Sequence, residues 1–327
     1  MYHRELEVAI EVMRQAAQMT EQIRGETGKP QALNKADNSP VTIADFAVQA
    51  MICHVLKTEF PDAAIVAEED ADTLRSPEMA TVLAQVTGYL LPHFPHAEAH
   101  TVCDWIDQGN STPQGRFWVL DPVDGTRGFV RGDQYALALA LIENGRIVLG
   151  VLACPALGLQ FDGVPGQMFF AVRGGGAFVV TKNNGSAIKL ELTDDVKSDR
   201  FCLLESVETD HNDRPRQESV AQALGMVLSP LRVDSQAKYA LLAAGKGALY
   251  LRLPPERKPD QREKIWDHAA GALIVEEAGG RVTDLDGQPL DFAVGAELAA
   301  NRGIVAGVTS AHAEAIRALS IHGQRSD

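Results

Sequence analysis

The stretch Trp118-Val119-Leu120-Asp121-Pro122-Val123-Asp124-Gly125-Thr126 joins an apolar segment to a polar turn. Phe117 to Leu120 has the composition of a buried strand, and it stops where two acids, a proline, a glycine and a threonine begin. Burial of the strand fixes the direction in which that polar cluster faces. Pro122 presets a turn and Gly125 relaxes it, so Asp121 and Asp124 stand three positions apart across it. Two carboxylates with a free carbonyl between them suit a hard cation such as Mg2+. The Thr126 hydroxyl at the edge is placed to orient a water. The stretch reads as a metal site on a rigid strand end.

Around it the chain alternates both element types. Leu6, Ile10, Met13 and Ala17 follow a helical spacing, and residues 41–57 predict a second helix with Phe46, Ala50, Cys53 and Leu56 on one face. A short strand, Ala64 to Ala67, ends in Glu68-Glu69-Asp70. A helix is expected over residues 78–91, and residues 93–116 read as a long connection. Strands dominate residues 117–180, with hairpin turns at Asn144-Gly145 and Arg173-Gly174-Gly175-Gly176. The second half mixes strands at 201–205 and 248–253 with helices at 216–224 and 268–278. This pattern implies an α/β or α+β sandwich. Cys154-Pro155 and Gly163-Val164-Pro165-Gly166 interrupt it, which suggests one domain over residues 1–155 and a second over 156–327.

Composition narrows the function. The 327 residues carry a formal net charge of −14, which disfavours a broad basic face for polymeric nucleic acid. It leaves room for a small anion held by a local cationic pocket and metals. No apolar run approaches a membrane span, and the N-terminus lacks a signal-peptide block. Cys53, Cys103, Cys154 and Cys202 are scattered without a CxxC pair, which suits a reducing cytoplasm.

Several residues carry a structural and a functional reading together. Glu68 ends an apolar strand as Asp121 does, yet its acidic triplet also suits a solvated turn. Asp45 stands three residues after Thr42, the spacing of a capping box, and is also available to orient a water with Thr126. Asp267, in Trp266-Asp267-His268-Ala269-Ala270-Gly271, precedes a helix as an N-cap would, and its outward oxygen can take a metal. Arg252 alternates with Leu251 and Leu253, so it faces away from them, either into solvent or into a cleft where its guanidinium can grip a phosphate. His93, His96 and His100 have a zinc-like spacing but sit among prolines without a nearby cysteine, and read as a loop. The Gly174-Gly175-Gly176 run lacks the Lys-Ser/Thr of a phosphate loop and reads as a hairpin.

Together these segments resemble the inositol monophosphatase superfamily of metal-dependent phosphatases. Its Asp-Pro-x-Asp-Gly-Thr/Ser motif stands at Asp121 to Thr126, its Gly-Glu-Glu-Ser segment as the altered Ala67-Glu68-Glu69-Asp70, and its Trp-Asp motif at Trp266 to Gly271. Within the superfamily, residues 116–132, 235–239, 250–254 and 263–271 are similar to the 3′(2′),5′-bisphosphate nucleotidases. Arg127 stands where that group usually has lysine. The resemblance implies a layered αβαβα fold and two or three Mg2+ per site, held by Glu68, Asp121, the Val123 carbonyl, Asp124 and Asp267. It implies a water oriented by Asp45 and Thr126, and a nucleotide held by Ser235, Lys238, Arg252 and, less directly, His211. Backbone amides near Gly125 and Thr126 would cradle the phosphate. The expected substrate is a small nucleotide bisphosphate, adenosine 3′,5′-bisphosphate, cleaved to AMP and phosphate in the cytoplasm, and lithium inhibition is expected as a family trait. An inositol phosphatase of the same fold is the alternative enzyme, and a catalytically silent metal- or nucleotide-binding protein is the alternative of another class.

Overall fold

Two large sheets and three helical layers form a stack, beside a small two-stranded sheet. The structure is a computed structural model that describes residues 2–27, 32–34, 40–158, 165–181, 185–194, 201–208, 213–255 and 257–323. The first half runs α1 (His3–Thr27), β1 (Leu33–Asn34), β2 (Pro40–Val41), α2 (Ile43–Glu59), β3 (Ala64–Ala67), α3 (Ala80–Leu90), α4 (Ala99–Asp107), β4 (Arg116–Asp124), α5 (Thr126–Arg131), β5 (Ala136–Glu143) and β6 (Arg146–Cys154). Next come β7 (Gln167–Val172), β8 (Gly176–Thr181), β9 (Ile188–Leu190), β10 (Leu203–Glu205), α6 (Arg214–Ala223), β11 (Leu231–Arg232) and α7 (Ala237–Ala243). The chain closes with β12 (Leu249–Arg252), α8 (Ala269–Ala278), β13 (Arg281–Thr283), β14 (Ile304–Gly307) and α9 (Thr309–Gly323).

Side-chain alternation along β4 builds the layers. Trp118 and Leu120 face α1 and α2, while Phe117 and Val119 face α7 and α8. The seven-stranded sheet, ordered β3-β4-β5-β6-β7-β8-β9, is therefore covered on both faces, which is why β4 to β6 read as near-continuous apolar runs. A five-stranded sheet, ordered β11-β10-β12-β14-β13, presents Leu204, Tyr250 and Ala306 to the α7–α8 layer. Its other face packs Leu203, Leu249, Leu251 and Val305 on α6 and α9. The stack is αβαβα, as the resemblance implies.

The structure departs from sequence expectation in several places. The buried face of α1 is Ala9, Met13, Ala16 and Ile23, and Leu6, Ile10 and Ala17 flank it half-buried. The connection expected over residues 93–116 contains α4, whose buried Val102, Cys103 and Ile106 form a helical face too short to stand out among acids and histidines. Strand β4 does not stop at Leu120 but continues through the motif to Asp124. β6 and β7 are hydrogen-bonded neighbours, and the seven-stranded sheet runs on to Leu190.

Both hairpin turns form. Asn144 and Gly145 have φ of 50° and 75°, the doubly positive pair of a type I′ turn. In the glycine run, the Gly174 and Gly176 amides donate to the two oxygens of Glu277, at 2.9 Å each, so a side chain from α8 takes the place an anion would have. His93, His96 and His100 are exposed at the surface. No helix among the described residues is long and apolar enough to cross a membrane.

Candidate active site

Parallel pairing of β3 with β4 sets Ala67 opposite Leu120, and the Glu68 amide extends the ladder to the Leu120 carbonyl at 3.2 Å. Glu68 therefore stands level with Asp121. A bulge in β4 does the next step. Asp121 pairs with Ala138 and Asp124 with Ala136, so three steps on one strand match two on the other. Val123 stays in the α1–α2 core while Asp121 and Asp124 both serve the opposite face. In a regular strand, residues three apart would face opposite ways. A 3-10 turn, Ile265–Asp267, packs against β4 and β5 and delivers Asp267 to the same place. Asp267 is the last residue of that turn; the helix cap of α8 is His268, so the N-cap expected of Asp267 is absent.

The acids act on one another. Asp121 is 2% exposed, and its Oδ1 has no hydrogen-bond donor among the described residues. Burial first, and then the charges of Glu68, Asp124, Asp267 and Asp45, push its carboxyl well above the usual range. Asp267 is raised by burial and by Asp124 and Glu68. Burial lifts Asp124 to about 6, against the pull of Lys238 and of the Gln236 amide, which donates to its Oδ2 at 2.5 Å. An all-oxygen donor set with an orphaned buried carboxylate oxygen fits a hard divalent cation.

The two oxygens of Asp45 have separate partners. Oδ2 accepts from the Thr42 amide and hydroxyl at 2.7 and 2.6 Å, closing the capping box of α2. Oδ1 lies 3.4 Å from the Thr126 hydroxyl, which also donates to the Val123 carbonyl at 3.1 Å. Gly125, with φ of 84°, makes the turn into α5 possible, and a Cβ there would sit 3.0 Å from Ser235 Cβ.

The cationic side comes from α7 and β12. Ser235 holds a positive φ of 67°, with its Oγ accepting from the Ala237 amide. Lys238 is buried and donates to the Val233 and Ser235 carbonyls at 3.2 and 2.8 Å. Burial pushes its ammonium down to about 8, against the pull of Asp124. Arg252 is not a surface arginine: its side chain is 15% exposed and its Nε donates to Glu263 at 3.1 Å. Its charge reaches Asp124 and Asp267. His211 lies outside the described residues.

Sequence reasoning missed Gln236, Glu263 and His268 as parts of this site. Gln236 ties the two halves together, its amide on Asp124 and its side chain on the Trp266 carbonyl and the Gly271 amide. A backbone donor leaves no signature in sequence. Glu263 and His268 lay inside a quoted segment, but nothing in their spacing distinguished them.

A model of the inositol monophosphatase family matches residues 2–323. The chain belongs to that family. Members are metal-dependent phosphatases. A 3′(2′),5′-bisphosphate nucleotidase of Schizosaccharomyces pombe is 41% identical over 326 residues, covering 92% of this chain and 91% of the relative. One from Emericella nidulans is 40% identical over 351 residues, covering 97% and 98%. Among solved structures, an IMPase of Thermotoga maritima superposes with a TM-score of 0.67 at 22% identity, covering 98% of this chain and 99% of that one. The latter likeness concerns the fold.

Proposed function

We propose that this protein is a Mg2+-dependent 3′(2′),5′-bisphosphate nucleotidase that converts adenosine 3′,5′-bisphosphate to AMP and phosphate. The observation that carries the reading is the cation pair of buried Lys238 and largely enclosed Arg252, whose charges act on Asp124 of the acid cluster. A monophosphate needs one anion site. Two desolvated cations beside the acids support a second, and the nucleotidase names of the relatives support its being a nucleotide's.

Glu68, Asp121, the Val123 carbonyl, Asp124 and Asp267 would hold two or three Mg2+, which supply positive charge to the scissile phosphate and to the departing ribose oxygen. The chain's own residues do the rest. Thr126 commits its proton to Asp45 or to Val123, so an oxygen lone pair is left to accept from the attacking water and aim it at phosphorus. With the Thr126 hydroxyl donating to Asp45, the water's proton passes to the threonine oxygen as the threonine proton passes to Asp45 Oδ1, and the departing 3′-oxygen takes a proton from solvent. The phosphorus–oxygen bond to C3′ breaks as the new one forms, with no covalent enzyme intermediate. Ser235, Lys238 and Arg252 hold the sugar and the 5′-phosphate. Amides near Gly125 and Thr126 face the scissile group. The four free, buried cysteines support a reducing, cytoplasmic setting.

Phosphate release from adenosine 3′,5′-bisphosphate, inositol 1-phosphate, inositol 1,4-bisphosphate and fructose 1,6-bisphosphate, each with Mg2+ and with EDTA, tests the reading. The expected result is Mg2+-dependent preference for the nucleotide. Preference for an inositol phosphate, or activity untouched by EDTA, overturns it.

The same cluster predicts a pH dependence. A carboxyl whose folded pKa lies above its unfolded value contributes stability that is complete below about pH 4 and is lost as pH rises through the folded value. For Asp124, which burial lifts to about 6, that window is about 4 to 6. The metal-free cluster thus weakens the fold at neutral pH, where a cation takes the proton's place. The gain in Tm on adding Mg2+ to EDTA-treated protein is expected to be larger at pH 7.5 than at pH 5. Comparison at one pH cancels His268 and His312, which burial shifts downward. An equal gain at both pH values contradicts the assignment.

A further inference from the structure

Arg252 is held by a buried chain of polar groups that the reaction does not itself use. Its Nε donates to Glu263 Oε2 at 3.1 Å, and the same oxygen lies 3.4 Å from His268 Nε2. His268 Nδ1 lies 2.8 Å from the Tyr239 hydroxyl. The side chains of Glu263 and His268 are 4% and 2% exposed. Tyr239 reaches this position because Gly271 of α8 has no side chain: a Cβ there would stand 2.3 Å from the tyrosine ring.

The chemistry fixes the direction of each bond. Arg252 can only donate, so Glu263 accepts as a carboxylate. Burial opposes that charge, but Arg252 and His268 outweigh it and hold the carboxyl far below its usual range. With Nε2 donating to Glu263, the neutral ring presents Nδ1 as acceptor to the tyrosine hydroxyl. Among the described residues Glu263, Asp267 and His268 are also the one group of three candidate ligand atoms within 4.8 Å of one another. Both nitrogens of His268 are already engaged, so Glu263 and His268 act with Tyr239 as a hydrogen-bonded brace, and Asp267 is left to the acid cluster.

A long arginine side chain has many rotamers to lose, and a fixed Nε contact leaves its two terminal nitrogens pre-aimed as a fork. We propose that Glu263, backed by His268 and Tyr239, is a positioning residue that aligns Arg252 to read the second phosphate of the substrate, and so sets the preference for a bisphosphate over a monophosphate. This rests on the nucleotidase reading above.

The test is the ratio of kcat/KM for adenosine 3′,5′-bisphosphate to that for adenosine 3′-monophosphate. It is measured with Mg2+ for the wild type, Glu263→Gln, Glu263→Asp and Tyr239→Phe. Glu263→Gln is expected to lower the ratio about tenfold or more, chiefly through KM for the bisphosphate. Glu263→Asp should restore part of it. Tyr239→Phe, which removes one oxygen, should move the ratio in the same direction by less and keeps the test open should the Glu263 variants fold poorly. A wild type that discriminates while its variants discriminate equally overturns the positioning role alone. A wild type that does not discriminate overturns the nucleotidase reading and the proposal with it. A fall in kcat on both substrates by the same factor assigns Glu263 to general support of the site and overturns its role in selection.

Discussion

Exchanging Asp121 for asparagine is expected to lower kcat/KM by at least about 100-fold, since a direct ligand matters more than the outer partners whose loss costs about 10- to 100-fold. The same exchange is expected to stabilise the EDTA-treated protein, by about 1 to 3 kcal/mol. The two effects have one cause. Asp121 is buried, its Oδ1 lacks a donor, and four other acids raise its carboxyl. The fold pays for that arrangement when no cation is present. A neutral amide of equal size removes the repulsion and the ligand together. Phosphate release and thermal denaturation with EDTA measure the two sides. Full activity in Asp121→Asn, or a metal-free variant less stable than the wild type, contradicts the account.

Thr126→Val is expected to lower kcat by about 10² to 10⁴, the range for loss of a group that positions and relays a proton, with a smaller change in KM. The valine keeps the shape and removes the hydroxyl that links Val123 to Asp45. Thr126→Ser, which keeps the hydroxyl, should retain most of the activity. Asp45→Ala should lose as much activity as Thr126→Val and, in addition, about 0.5 to 2 kcal/mol of stability, because the α2 capping box goes with it. Steady-state kinetics and denaturant melts separate the cases. Thr126→Val with unchanged kcat would remove the water-orienting role.

The separation between Thr126 and Asp45 shows what sequence can and cannot carry. The Thr42–Asp45 cap is local and was legible from spacing; the Asp45–Thr126 contact joins positions 81 apart and was legible only through the family motif. The strand leading to Asp121 was plain because its apolar run ends sharply, but the β4 bulge was not. Its cause is pairing with β5, and no residue type announces it. Asp267 has the place of a helix cap because acids before helices usually are one; the intervening 3-10 turn moves the cap to His268 and the start of α8 by one residue. Arg252 alternated in the expected way, yet alternation could not say whether its face met solvent or the acid cluster. That was decided by Glu263, which approaches from a separate segment. The order of elements implies an α/β or α+β sandwich and only the family resemblance implies its αβαβα layering, whereas α4 is hidden by its short length.

A nucleotide's 3′-phosphate is expected to be hydrolysed at the acid cluster while Lys238 and Arg252 hold its 5′-phosphate. Phosphorus NMR of a reaction containing equal concentrations of adenosine 3′,5′-bisphosphate and inositol 1-phosphate, with Mg2+, tests it directly. The account predicts that AMP carrying the 5′-phosphate and inorganic phosphate appear first. Adenosine 3′-phosphate as the nucleotide product, or faster consumption of inositol 1-phosphate, would contradict it.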